Sequence, residues 1–95
     1  FVEATASSPA RIFGLHPRKG NLAPGADADI VVIDPRKTHA FSASNNNLNV
    51  DYEPYEGRTV HGAVRDVFLR GRPMVRHGRL VARAGGGMFL RRTPR

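Results

Sequence analysis

The residues best suited to chemistry in this chain are its acids, histidines and hydroxyls, and Asp27 and Asp29 come first. An Asp-x-Asp pair offers oxygens to a hard cation. A calcium site takes about six to eight of them, however, and no EF-hand-like series of acids follows. Asx-type turns launching the β-branched run that comes next account for both aspartates more simply. The four histidines, His16, His39, His61 and His77, fall in four separate segments and form neither His-x-His nor His-x-x-x-His. They are expected as surface or turn residues rather than as ligands. Ser7, Ser8, Ser42 and Ser44 lack the Gly-x-Ser-x-Gly setting of a nucleophile elbow. Gly85-Gly86-Gly87 resembles a phosphate loop in composition alone, because no Lys-Ser/Thr follows it. Tyr52, Glu53, Tyr55 and Glu56 could meet a ligand or a partner subunit, but anchoring their own loop is the simpler role. No residue is therefore assigned as catalytic, cofactor-binding or metal-ligating.

The elements around these residues follow from pattern and punctuation. Residues 1–15 read as helical: Phe1, Val2, Ala4 and Ala6 begin the pattern, and Ser7-Ser8 interrupt it. Ser8-Pro9 then reads as a restart, with Ser8 as N-cap and Pro9 in the first turn, and Gly14 as the stop. Residues 16–25 are turn-rich, with Leu22 expected in a short strand. Ile30-Val31-Val32-Ile33 is a continuous apolar run between turn signals, the pattern of a strand buried on both faces. Asp34-Pro35 is expected to end it, with a second strand over about residues 38–42. Residues 43–58 are polar and Asn-rich, a long surface loop with Val50, Tyr52 and Tyr55 as its anchors. Beyond it, residues 64–70, 74–76 and 80–82 read as strands of an antiparallel meander with turns at Gly71 and His77-Gly78. Pro73 cannot donate to a ladder and belongs at a strand start or an edge. Residues 84–95 are expected to be irregular.

Composition narrows the function classes. The chain has 95 residues, a net charge of +7 and no cysteine. Disulfides, thiolate metal sites and thiol nucleophiles are excluded, and a cytoplasmic location is the expectation. No apolar run approaches the ~20 residues that span a bilayer, so no membrane partner is expected. Thirteen of the fifteen basic residues are arginine, densest from Arg65 to Arg95. So basic a chain meets one criterion for nucleic-acid binding. No aromatics interleave with the arginines as a stacking platform requires, so a solvated basic surface is the preferred reading. An autonomous basic β-module binding nucleic acid stays as the alternative.

Several segments together carry a family resemblance. In order they are Ser8-Pro-Ala-Arg-Ile-Phe-Gly-Leu15, His16-Pro-Arg-Lys-Gly20, Gly25-Ala-Asp-Ala-Asp-Ile-Val-Val-Ile-Asp-Pro35, Asn49-Val-Asp-Tyr52, Tyr55-Glu-Gly57 and Val64…Gly71…Gly78-Arg-Leu-Val81. This series resembles the C-terminal part of dihydropyrimidinases and D-hydantoinases, cyclic amidohydrolases of the amidohydrolase superfamily. The Gly-x-Asp-Ala-Asp-x-Val strand is shared across the superfamily. The Pro-Arg-Lys-Gly and Asn-Val-Asp-Tyr…Glu-Gly segments narrow the likeness to the hydantoinase branch. Two departures stand out: Pro73, where the family has a hydrophobic strand residue, and Asn45-Asn46-Asn47 in the loop.

The resemblance implies a TIM-like barrel with two zinc ions bridged by a carboxylated lysine, and a metal-bound hydroxide that attacks the ring amide. The ligands in the family are barrel histidines, including a His-x-His pair, and an aspartate. All of these lie upstream of Phe1 in the family pattern, so none is carried onto this chain. It implies that residues 1–15 are the last helical segments packing on the barrel. Residues 16–83 would be strands of a composite β-sandwich shared with the family's N-terminus, and residues 84–95 a tail. The expected fold is thus mainly β with a short N-terminal helical segment. The expected partners are the remainder of the parent enzyme, a cyclic amide for that parent, and further copies in a homo-oligomer. Phe1 is no initiating residue, which fits a partial chain. Non-catalytic proteins related to dihydropyrimidinase share the same pattern, so a fragment of one of those is a further alternative.

Overall fold

Pro9 shapes the first element. Its nitrogen has no hydrogen to donate and its ring crowds the carbonyl four residues back, so a regular α-helix is disturbed there. In the computed structural model, which describes residues 1–46 and 49–93, a π-helical turn at Glu3–Ser7 absorbs the disturbance. It runs directly into helix α1 (Ser8–Ile12), with the Ser8 N–H donating to the Glu3 carbonyl. The expected interruption and N-cap at Ser8 are therefore not formed. Ser8 is itself helical, and its hydroxyl donates to Glu3 Oε1 at 2.8 Å. Gly14 ends the segment as expected, at φ +68°, with the Leu15 N–H reaching back to the Ala10 carbonyl at 2.8 Å.

Residues 13–29 form turns, as the glycines and prolines there dictate. Leu22 lies in no strand and is exposed, against expectation. The sheet follows: β1 (Ile30–Ala40), β2 (Thr59–Leu69), β3 (Arg72–Arg76) and β4 (Arg79–Leu80), antiparallel and in the order β1-β2-β3-β4. The mainly β fold with one short helical segment and the meander agree with the sequence reading.

The Asp34-Pro35 stop does not hold. β1 continues through it, and the turn chemistry appears instead as a bulge between Asp34, opposite Ala63, and Thr38, opposite His61. Asp34 Oδ1 accepts the Arg36 N–H at 3.0 Å inside that bulge, and a bulge is where a strand tolerates proline. Pro73 is the second residue of β3 and sits opposite Phe68 at another register shift. The hairpin turns Arg70-Gly71 and His77-Gly78 have positive φ at both central residues, as tight two-residue turns of the right twist require.

Residues 41–46 and 49–58 are loop, held by hydrogen bonds more than by the anchors expected. Ala43 N–H donates to Glu56 Oε2 at 2.7 Å, and the strand ends pair through Gly57 N–H to Phe41 carbonyl at 2.8 Å. Tyr55 meets the Phe41 ring, but it is exposed, as are Val50 and Tyr52. Of the Asn45-Asn46-Asn47 departure, Asn47 lies outside the described residues, as do Pro94 and Arg95 of the tail.

Burial is sparse. Among the described residues Ala10 is the one buried apolar side chain and Asp66 the one buried charge. β1 alternates half-buried Ile30 and Val32 with exposed Val31 and Ile33, so within this chain the expected two-sided burial is not met. Val31 pairs with Val67, Val67 with Val75, and Val75 with Leu80. One apolar row thus crosses all four strands, and it is open at both ends, at Val31 and Leu80.

Candidate functional site

The aspartates that looked most like ligands are already bound, to protein. The turn after α1 delivers Arg18 and Lys19 to the approach to β1. Lys19 Nζ lies 2.8 Å from Asp27 Oδ2 and also contacts Asp29 Oδ2, while Arg18 Nε donates to Asp27 Oδ2 at 3.0 Å. The other oxygen of Asp29 accepts the Arg70 N–H at 2.8 Å, across from the β2–β3 turn, and Gly71 N–H donates to the Ala28 carbonyl at 2.9 Å. Three segments remote in sequence meet here. The Asx turn expected at these aspartates is replaced by an ion cluster.

Its electrostatics are those of a clasp. Burial disfavours the Lys19 ammonium, but hydrogen bonds to Asp27 and Asp29 outweigh it and raise the pKa above the usual lysine value. The Lys19 and Arg18 hydrogen bonds hold Asp27 below the usual carboxylate range. Burial raises Asp29, but Lys19 and the Arg70 amide more than offset this. A lysine locked in its charged form is no nucleophile, and carboxylates locked as anions are poor general acids. The cluster binds three segments together, and its hydrogen bonds favour the charged form of each member.

Asp66 is a second hub. Although 3% exposed, it accepts from Arg65 Nε at 2.7 Å, Arg76 Nε at 3.1 Å and the His77 N–H at 3.0 Å. The Arg65 hydrogen bond, then that of the His77 amide, brings its pKa down to about 2. Sequence reasoning passed over this residue. The available signal was an acid inside the strand run Val64-Arg-Asp-Val-Phe-Leu69, where an unpaired charge would not be tolerated.

The histidines stay apart. His16 is exposed beside a cis Pro17 peptide, and His39 stacks edge-on against Phe41 at 5.0 Å between ring centres. His61 pairs with Thr38 in the sheet, and His77 sits in the second hairpin turn. Among the described residues no three of His, Asp and Glu gather into a potential metal site. The donor set does not fit a dinuclear zinc centre. Glu53 and Glu56 are spent inside their own loop, the former on the amide of Asn46 at 3.4 Å.

The described residues offer a polar clasp and an internal acid hub, and the match to known proteins decides what this chain is part of. The pattern of the amidohydrolase family matches residues 1–74. This chain belongs to the amidohydrolase family. It is 47% identical over 95 residues to the D-hydantoinase of Streptomyces coelicolor, and 47% identical over 94 residues to the D-phenylhydantoinase of Escherichia coli. Those alignments take in 100% and 99% of this chain and 20% of each relative. The crystal structure of dihydropyrimidinase from Brevibacillus agri superposes with a TM-score of 0.93 at 42% identity, over 97% of this chain and 20% of that one. The L-hydantoinase of Arthrobacter aurescens superposes at 0.80 and 32% identity, over 85% and 18%. The chain thus spans about a fifth of the length of the amidohydrolases it matches. The clasp joins Pro17-Arg-Lys-Gly20 to Gly25-Ala-Asp-Ala-Asp29, both inside the stretch that the amidohydrolase pattern matches.

Proposed function

We propose that this chain is the C-terminal scaffold of a metal-dependent hydrolase that opens cyclic amides, dihydropyrimidines and hydantoins among them, and that it holds none of that enzyme's catalytic residues. The observation that carries the reading is the 47% identity to a D-hydantoinase over every residue of the chain. Two structural features support it. The clasp ties together segments that lie inside the family match, and the apolar row across the sheet is left without a cover.

In this reading the helical segment at residues 1–15 packs on a barrel, and the sheet completes a sandwich with strands from elsewhere in the polypeptide. The two zinc ions and the carboxylated lysine belong to the barrel, because the residues present here do not suit them. The parent is cytoplasmic and a homo-oligomer.

The experiment begins with the coding sequence upstream of Phe1. A His-x-His pair, a barrel lysine and an aspartate are expected there. The whole polypeptide should then open dihydrouracil or hydantoin, lose turnover on chelation and regain it with zinc, while the 95-residue chain alone turns over neither. A whole polypeptide that carries the barrel without those ligands, and is inactive with zinc, would instead mark a non-catalytic relative. Affinity for DNA or RNA that falls linearly with salt on logarithmic axes would favour a basic binding module.

A further inference from the structure

The first hairpin turn and the start of the tail enclose a groove of about 400 Å³, within the roughly 300–1,000 Å³ of small-molecule sites. Leu69, Pro73, Met74 and Ala82 give it an apolar lining, and Arg70, Arg72 and Arg83 are the charged residues around it. Among the described residues no carboxylate lines it. Arg70 holds the structure of the groove: its backbone N–H is fixed by Asp29, and its guanidinium donates to the Gly86 carbonyl at 2.5 Å, tying the tail to the hairpin turn. Arg72 and Arg83 do no such work. Among the described residues neither guanidinium has a hydrogen-bond or ion-pair partner. The Gly85 and Gly86 N–H groups donate to no protein acceptor either, and the space beside both glycines is open.

We propose that this groove binds a small organic anion, a carboxylate or phosphate on a compact apolar body. Two unpartnered guanidiniums are planar forks that suit either oxyanion bidentately. Free glycine amides add neutral donors of the kind found in anion-binding nests. The apolar lining favours a ligand with a body to bury, and so an organic anion over an inorganic one. The inference is independent of the hydrolytic reading, since no step of cyclic-amide opening is assigned to these residues.

The test is isothermal titration of the whole polypeptide with phenyl phosphate, phenylacetate and inorganic phosphate. At least one organic anion should bind about tenfold more tightly than inorganic phosphate, the ring supplying buried area. Tighter phenyl phosphate would point to a phosphate ester as the natural ligand, and tighter phenylacetate to a carboxylate. The double variant Arg72→Ala/Arg83→Ala should lose at least about tenfold in affinity. Arg36→Ala, which removes an exposed charge outside the groove, should bind as the unaltered protein does. If the double alanine variant fails to fold, Arg72→Lys/Arg83→Lys decides, because it keeps the charge, loses the fork and should still weaken binding. Absence of binding by both organic anions would overturn the proposal. So would groove variants that bind unchanged, or an equal loss in Arg36→Ala, which would mean attraction to net charge only.

Discussion

Residues 27–29 and residues 31–33 are neighbours along one stretch of chain, yet they are held in opposite ways. At the approach to β1, Asp27 and Asp29 have Arg18, Lys19 and the Arg70 amide as partners, all from this chain. Two residues on, Val31 and Ile33 are exposed at 56% and 46%. The polar end of the stretch is complete within 95 residues, and the apolar side of the strand is not. The difference teaches how little of this sheet's stability is local. Directional bonds can close inside a small piece, whereas burying a row of valines needs a second layer.

The largest expected effect tests the complete end. Gly20 approaches α1 so closely that an added Cβ would lie 2.4 Å from Ala10 Cβ and 2.8 Å from the Ala6 carbonyl oxygen, and its φ is +81°. Gly20→Ala should therefore destabilise the whole polypeptide by about 3 kcal/mol, from overpacking and backbone strain together. Gly25 has similar φ but open space around it, so Gly25→Ala should cost about 1–2 kcal/mol from strain alone. Urea denaturation midpoints compare the two, and equal losses would mean that the close approach to α1 contributes nothing.

Next comes Asp66, whose pKa is depressed to about 2. A depressed carboxylate contributes stability that is full above its unfolded value near 4 and is lost as pH falls toward 2. Amide exchange at His77, which donates to Asp66, should thus lose protection over that window. In Asp66→Asn protection should be lower at pH 7 and no longer follow this titration. A profile unchanged by the substitution would remove Asp66 as the tie between β2 and the second hairpin turn.

The smallest effect belongs to the open side. In the 95-residue chain Val31→Thr and Ile33→Thr should weaken self-association, followed by sedimentation, by only about 0.5 kcal/mol each, since each removes little apolar area. In the whole polypeptide the same changes should cost about 1–3 kcal/mol each if a second layer covers the row. Equal, small effects in both settings would remove the need for a cover.

Much of this was legible from residue types, and the failures share a cause. The hairpin turns at Gly71 and His77-Gly78 are local chemistry and were read correctly. Gly14 was read correctly for the same reason. Asp34-Pro35 was read as a stop because those residues favour turns. Pairing with β2 kept the strand going and turned the same chemistry into a bulge. Ser8-Pro9 looked like a restart, but a π-helical turn accommodated the proline without breaking the segment. The ion cluster was beyond a local reading, since Asp29 meets Lys19 from ten residues away and Arg70 from forty-one. The apolar run of Ile30 to Ile33 was read as doubly buried. That pattern reports the surroundings the strand was selected for, which this chain alone does not supply.

The central claim is that this chain is a scaffold piece, closed at the Asp27–Asp29 clasp and incomplete in its apolar layer. Sedimentation of the isolated 95-residue chain at micromolar concentration, together with its thermal melt, tests it most directly. With Ala10 as the one buried apolar side chain among the described residues, the account predicts self-association through the open sheet, or a broad melt without a cooperative transition. A monomer that unfolds in one sharp transition would contradict it.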